Sequence, residues 1–312
     1  MQQPTFDPGL TQKYTGALKR VISEKGEFNV QRRGATWRDT HPYLVLINAS
    51  WTMFAALVFA AFGVTNVVFA ALYMAIGIDH LKGADGTTAP MQFVNAFFFS
   101  THTLTTVGYG NIYPVGAAAN SLAAIEALFG LLGFAVITGL MFGRFSKPSA
   151  RIGFSKSMLI TPYGDGLSLQ FRIVNRRTNN LLELSARILL MTVENGTGGL
   201  QRKYIQLTLE RDQVLFFPLT WTVVHPIVES SPLYGKTPED LEGLQAEVMI
   251  LIKAFDDTFG QTVNVRHSYR HDEIVWGGKF APAFVIDEVG GDLQLEVDKV
   301  SSFESVSLPR LE

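Results

Sequence analysis

Two long stretches of this chain, residues 40–78 and 86–125, contain no Asp, Glu, Lys or Arg. At about 1.5 Å per residue, a helix over the first stretch would exceed the roughly 30 Å hydrocarbon core of a bilayer. Part of it must bend or lie flat, and Pro42 marks the joint. Trp37 to about Ile47 reads as an interfacial amphipathic helix, with Trp37 and Tyr43 at headgroup depth. Residues 49–77 read as an outer membrane helix, followed by a polar loop over 79–88. Residues 92–103 carry Phe93, Phe97, Phe98 and Phe99 but are too short to span. A short apolar helix between two spans has the pattern of a re-entrant segment. Its phenylalanines read as packing. The second span runs over residues 120–142, with Glu126 as its only charge.

Between the re-entrant helix and the second span lies Thr105-Thr106-Val107-Gly108-Tyr109-Gly110. Two glycines two apart can take left-handed conformations that other L-residues resist, so successive carbonyls can point the same way. The carbonyls of Thr106, Val107, Gly108, Tyr109 and Gly110, with the Thr106 hydroxyl, would make a ladder of oxygens. One ladder cannot surround an ion, whereas four around an axis can replace the water shell of a potassium ion. The motif therefore implies a homotetramer with potassium as its ligand. The re-entrant helix ends just before it, with the negative end of its dipole aimed at the cavity beneath.

Basic residues flank the outer ends of the span pair. Lys13, Lys19, Arg20, Lys25, Arg32, Arg33 and Arg38 precede it; Arg144, Lys147, Arg151 and Lys156 follow, with no acid before Asp165. The positive-inside rule then places both termini in the cytoplasm of a multi-pass protein of the plasma membrane. The first 40 residues lack the apolar core of a signal peptide, and residues 1–30 are expected to lack order. Charged residues make up only 17% of the chain, against about a quarter in soluble domains. There is no cysteine, which excludes disulfides, thiolate catalysis and zinc–thiolate sites. A net charge of −2 points to no nucleic-acid partner. No nucleophile–base pair, metal motif or phosphate loop is present, so the chain does not read as an enzyme or as a carrier of an organic cofactor.

After Arg151 the period changes. Leu167, Leu169, Phe171 and Ile173 alternate with Ser168, Gln170 and Arg172, and Ile205, Leu207 and Leu209 with Gln206 and Thr208. Residues 248–252 and 263–269 are further strands, with turn signals at Gly164-Asp165-Gly166, Asn195-Gly196 and Ser231-Pro232. Such a series indicates a β-sandwich. Thr237 and Pro238 open a short helix as cap and first residue. His225, His267 and His271 fall in separate strands without ligand spacing and read as structural. The chain thus divides into a segment over 1–35, a slide-helix and pore domain over 36–148 and a β domain over 149–312. No helix carries the arginines of a voltage sensor, and no GxGxxG follows the second span.

This combination resembles the inward-rectifier potassium channels, specifically the prokaryotic KirBac type, over about residues 35–286. Three stretches carry the resemblance: Ala96-Phe97-Phe98-Phe99-Ser100 through Gly110, Arg144-Phe145-Ser146-Lys147-Pro148, and the β-domain motifs around His225-Pro226, Ser231-Pro232-Leu233-Tyr234-Gly235, Arg266-His267-Ser268-Tyr269 and Ile274-Val275-Trp276-Gly277. It implies a two-transmembrane-helix pore with a re-entrant pore helix, an immunoglobulin-like cytoplasmic β-sandwich extending the pore, and control by anionic lipids or phosphoinositide. Residue by residue, it implies a bulky constriction at Phe142 and a bend at Gly130, with Gly139 as a second flexible point. It implies an acidic cytoplasmic-pore residue at Asp257. Phe134 stands where strong rectifiers carry an acid, and His102 where the family often has one behind the filter. The basic lipid cluster survives as Arg144, Lys147 and Arg151, with Arg38 before the outer helix. His102 and Glu126, polar groups in an apolar stretch, are expected to interact, directly or through water, as filter support. Two further readings stay open: a two-helix channel gated by another ligand, and a membrane-anchored β-sandwich binding module with a non-conducting pore.

Overall fold

The computed structural model describes residues 8–14, 16, 20–23, 26–30, 33, 34, 36, 41–148, 150–196, 199–287 and 291–309. It divides into two compact units, Met1–Gln31 with Pro148–Glu312, and Arg32–Lys147. Trp37 and Arg38, with Lys19, Lys25 and Arg32, lie outside the described residues.

Among the described residues, the unit Arg32–Lys147 contains four α-helices and a short 3-10 turn, Ile78–His80. α1 spans Pro42–Asn48, with Pro42 in its first turn, where a missing N–H costs nothing. α2 spans Trp51–Ile76 and is capped by Ser50, whose hydroxyl accepts from Met53 N at 3.2 Å. α3 spans Ala89–Leu104, and α4 spans Ala117–Phe145. α2 and α4, of 26 and 29 residues, are both long and apolar enough to cross a membrane. The short strands β1 (Leu81–Lys82) and β2 (Tyr113–Pro114) pair between them. Phe69, Ala70 and Tyr73 of α2 pack with Ala96 and Phe99 of α3, flanked by Phe93, Phe97, Leu122 and Ala123. Phe93, Phe97 and Phe99 of the re-entrant helix are packing residues, as expected, whereas Phe98 is half exposed on the protomer.

The second unit is a sandwich. One sheet holds β12 (Ile274–Trp276), β4 (Met158–Tyr163), β5 (Gly166–Asn175) and β3 (Ile152–Phe154), with β9 (Thr220–Ile227) also on β5. The other runs β11 (Gln261–Arg270), β10 (Glu247–Asp256), β6 (Leu181–Gly196) and β7 (Gly199–Leu207), with β8 (Gln213–Phe216) on β6. Leu169, Phe171 and Ile173 of the first sheet meet Ile188, Leu190, Val248, Ile250 and Ile252 of the second in one core. Alternation along β5 predicts polar Ser168 and Arg172 in solvent, yet both are buried. Arg172 donates to Ala281 O at 2.6 Å and lies over the Phe280 ring. Phe280 belongs to β13 (Gly278–Phe280), which pairs with β16 (Phe303–Ser305), while β14 (Phe284–Ile286) pairs with β15 (Leu293–Leu295). These late strands lie too far along the chain for local alternation to register them. Thr237 caps α5 (Pro238–Gly243) through a reciprocal box with Asp240. Burial holds the His225 pKa below its ordinary value. The neutral ring bridges Thr208 O at 2.6 Å and the Ser231 hydroxyl at 2.8 Å, a structural role.

Residues 1–30 are not a loose tail where they are described. Val21 and Ile22 are buried beside Met191, Val193, Tyr204 and Met249, on the outer face of the second sheet. Arg202 N donates to Gln12 O at 2.8 Å, and Tyr204 Oη to Thr11 O at 3.0 Å. The buried Glu247 carboxylate accepts from Val21 N at 3.0 Å and Ile22 N at 3.3 Å. Polar composition hides this docking because its anchor is backbone, held by a carboxylate more than 200 positions away. Removing that carboxylate strands two buried N–H groups, each worth about 1–3 kcal/mol. Glu247→Ala should therefore lose hydrogen-exchange protection at Val21 and Ile22 while β10 and β6 keep theirs. Unchanged protection would show that apolar packing alone holds the segment.

Candidate ion-conduction site

The helix α3 delivers the chain to the motif. Its last turn contains His102, and Thr105 caps it by donating its N–H to Thr101 O at 3.1 Å. The next three amides turn back on the helix. Thr106 N donates to Thr103 O at 3.0 Å, and Val107 N and Gly108 N both donate to His102 O, at 2.9 and 3.2 Å. The backbone then alternates in hand: Thr106, Gly108 and Gly110 have φ of 60°, 55° and 79°. Two of these are glycines, as the sequence predicts. Thr106 is the third and was not foreseen, because a β-branched residue rarely holds a positive φ. Among the described residues, no hydrogen bond uses the carbonyls from Thr106 to Gly110. The first three residues of the segment are thus tied down through their N–H groups, while the carbonyl oxygens of the whole segment take no hydrogen bond among the described residues. The His102 ring stands edge-on to Tyr109, with centroids 4.8 Å apart.

Behind this segment lies Glu126, fully buried at 0% exposure. Its carboxyl meets Tyr73 Oη at 2.8 Å and the Ser100 hydroxyl. Among the described residues no hydrogen bond or ion pair joins it to His102, so the expected pairing is replaced by two separate supports. The reason is helical geometry. Ser100 and His102 are two apart on α3 and so face different sides. A polar residue inside an apolar helix is the signal for such partners, and Asn66, Tyr73 and Ser100 all carry it.

Gly130 sits where α4 crosses the end of α3. A Cβ there would lie 2.0 Å from the Leu104 carbonyl oxygen, so only glycine admits this approach. α4 is continuous through Gly130 and Gly139, and a Cβ on Gly139 would meet nothing within 4 Å. Phe134 and Phe142 are both 72% exposed on the protomer.

The cations after α4 divide. The Arg144 guanidinium donates to Leu46 O at 2.5 Å, Ile47 O at 3.1 Å and Ala49 O at 2.8 Å. It also lies 4.5 Å from the Trp51 ring centroid and 4.6 Å from that of Phe54. The sequence places Arg144 among lipid cations. The structure instead commits it to the carbonyl end of α1, where a cation complements the helix dipole. Lys147 bonds the Asn48 side chain, and Arg151 is exposed. In the other unit, Asp257 is exposed in the β10–β11 turn, whereas its neighbour Asp256 is buried and accepts from Asn179 Nδ2 at 2.8 Å.

Two of the glycines of α4, Gly130 and Gly139, separate close packing from open space. Gly130→Ala should destabilise the protein by about 1–3 kcal/mol through overpacking. Gly139→Ala should gain up to about 1 kcal/mol in helix propensity. Thermal unfolding of both variants in detergent checks this, and equal melting temperatures would contradict it.

Residues 152–312 match the family described as inward rectifier potassium channel C-terminal domain, and residues 43–147 match the family described as ion channel. Inward rectifier potassium channel Kirbac3.1 of Paramagnetospirillum magnetotacticum is 38% identical over 280 residues, covering 86% of this chain and 93% of the relative. Human G protein-activated inward rectifier potassium channel 3 is 26% identical over 317 residues, covering 93% of this chain and 78% of the relative. The corresponding channel 2 of Rattus norvegicus is 25% identical, covering 94% and 74%. These relatives are ion channels, not enzymes. With two membrane-length helices, a β-sandwich and the free carbonyls between α3 and α4, the chain belongs to the inward rectifier potassium channel family, in its prokaryotic KirBac-type branch, and acts as a passive potassium channel.

Proposed function

We propose that four copies of this chain assemble around one axis and that Thr106, Val107, Gly108, Tyr109 and Gly110 of each line a filter for dehydrated potassium ions. The observation that carries this reading is the run of unused carbonyls held by back-turned amides. Carbonyls already positioned lose little on exchanging a hydration shell for an ion. The surface of α4 supports the tetramer. Of its 29 residues only Ala119 and Glu126 are buried within one protomer, leaving an apolar surface for lipid and neighbouring copies. Both chain termini lie in the cytoplasm of a bacterial inner membrane, by the basic residues flanking the span pair.

The gate is the cytoplasmic end of α4. Phe142, exposed on the protomer, closes the axis as a ring of four phenyl groups, and an ion crosses a dewetted ring only at high cost. Arg144, two residues further on, fastens this end of α4 to the end of α1. Movement of the interfacial helix and of the gate is therefore coupled, with Gly130 or Gly139 as the flexible points of α4. Anionic lipid headgroups act through Lys147, Arg151 and Arg38 rather than through Arg144, whose two terminal nitrogens are committed to the carbonyl end of α1. Asp257 adds negative charge along the cytoplasmic route of the ion, and Phe134, in place of an acid, leaves polyamine block weak.

Two outcomes test the filter and the gate. Gly108→Ala should abolish potassium-over-sodium preference in liposome flux, since a Cβ disfavours a φ of 55°. Wild-type preference in that variant would refute the carbonyl ladder. Phe142→Ala should raise basal potassium flux with selectivity intact. Unchanged flux from an assembled tetramer would move the closed barrier to Phe134 or to the β domain.

A further inference from the structure

The membrane unit buries four polar side chains in contact with one another. Asn66, Ser100 and Glu126 are 0% exposed and Tyr73 is 1% exposed. They come from three helices: Asn66 and Tyr73 from α2, Ser100 from α3, Glu126 from α4. Three contacts join them. Tyr73 Oη lies 2.8 Å from Glu126 Oε2, Ser100 Oγ bonds Glu126 Oε1, and Ser100 Oγ lies 3.0 Å from Asn66 Oδ1.

Each contact needs one hydrogen, and the two hydroxyls supply only two. The Asn66 amide cannot supply the third. Its Nδ2 donates to Phe62 O at 2.7 Å, and turning the amide over would set two acceptor oxygens against each other at that distance. Asn66 therefore presents Oδ1 to Ser100, and the single Ser100 hydrogen goes there. The Tyr73 hydrogen serves Glu126 Oε2. The contact between Ser100 Oγ and Glu126 Oε1 is left with two acceptors and no hydrogen.

We infer that the missing hydrogen is carried by Glu126, which stands in the membrane unit as a neutral carboxylic acid donating to Ser100 Oγ. The hydrogen bonds then run one way, from Tyr73 to Glu126, to Ser100, to Asn66 and on to the Phe62 carbonyl, with one hydrogen for each contact. An ionised Glu126 would take the Ser100 hydrogen and leave the buried Asn66 oxygen without a donor. It would also leave a buried charge without a counter-ion, since no ion pair among the described residues reaches it. His102, on the same helix as Ser100, turns to Tyr109 instead. The site thus holds a proton at the junction of the outer, pore and inner helices, a few residues before the segment of free carbonyls. It rests on hydrogen counting alone and not on the conduction mechanism.

Infrared difference spectra of the full-length protein in lipid at neutral pH, wild type against Glu126→Gln, test it. The expected result is loss of a carbonyl stretch of a buried protonated carboxyl, with the carboxylate bands unchanged. A glutamine side chain reproduces the proposed bonding, its Nε2 donating to Ser100 Oγ and its Oε1 accepting from Tyr73. Glu126→Gln should therefore assemble and unfold at the wild-type temperature, while Glu126→Ala unfolds lower. Loss of carboxylate bands in the difference spectrum, or failure of Glu126→Gln to assemble, would overturn the inference.

Discussion

The carbonyl of His102 accepts two N–H groups, those of Val107 and Gly108, and the Thr106–Gly110 segment hangs from that oxygen. A strand in a sheet spends its donors and acceptors together. Here the first three donors, of Thr106, Val107 and Gly108, are spent on the end of a helix and the acceptors are left over. That division requires an alternating backbone hand, which in turn requires glycine at two of three positions and strain at Thr106. It also requires the helix end to be immobile. The approach of Gly130 to Leu104 O and the buried links from Ser100 to Glu126 and Asn66 hold it.

The same economy appears at the other end of α4. A helix that ends in open solvent leaves its last carbonyls to water. α1 instead gives three carbonyls to the guanidinium of Arg144, which aromatic rings cover on two sides. Arginine suits this place because its planar fork reaches several acceptors at once, which a lysine ammonium does with less definition. Gly143 next to it leaves room for Tyr43 and Ile47, where a Cβ would lie 2.9 Å from Tyr43 Oη. The interfacial and inner helices are therefore locked by both shape and charge.

Much of this was legible from residue order. Uninterrupted apolar stretches set the number and approximate ends of the membrane helices, since few other folds tolerate them. Two glycines in Thr106-Val107-Gly108-Tyr109-Gly110 announced the alternating backbone. Thr237 and Gly164 marked the helix start and the turn they occupy, because these residues act through local geometry, whereas Pro42, read as a joint, opens α1. Where partners are remote, residue order misled. Arg144 read as one of three lipid cations, yet its acceptors are carbonyls nearly 100 positions earlier. Glu126 read as a partner for His102, and its partners are hydroxyls on two other helices.

Residue order alone was enough to read the membrane helices, the sandwich and the alternating backbone of Thr106-Val107-Gly108-Tyr109-Gly110. Each of these follows from periodicity, apolar length or backbone permission, all of which are properties of neighbours along the chain. Only the tertiary structure decided which polar groups meet. It set Glu247 against the backbone of Val21 and Ile22, Arg144 against the end of α1, and Ser100 between Glu126 and Asn66. Hydrogen bonds are short-ranged and directional, so their partners depend on where helices and sheets come to rest, and that is settled by packing across the whole chain.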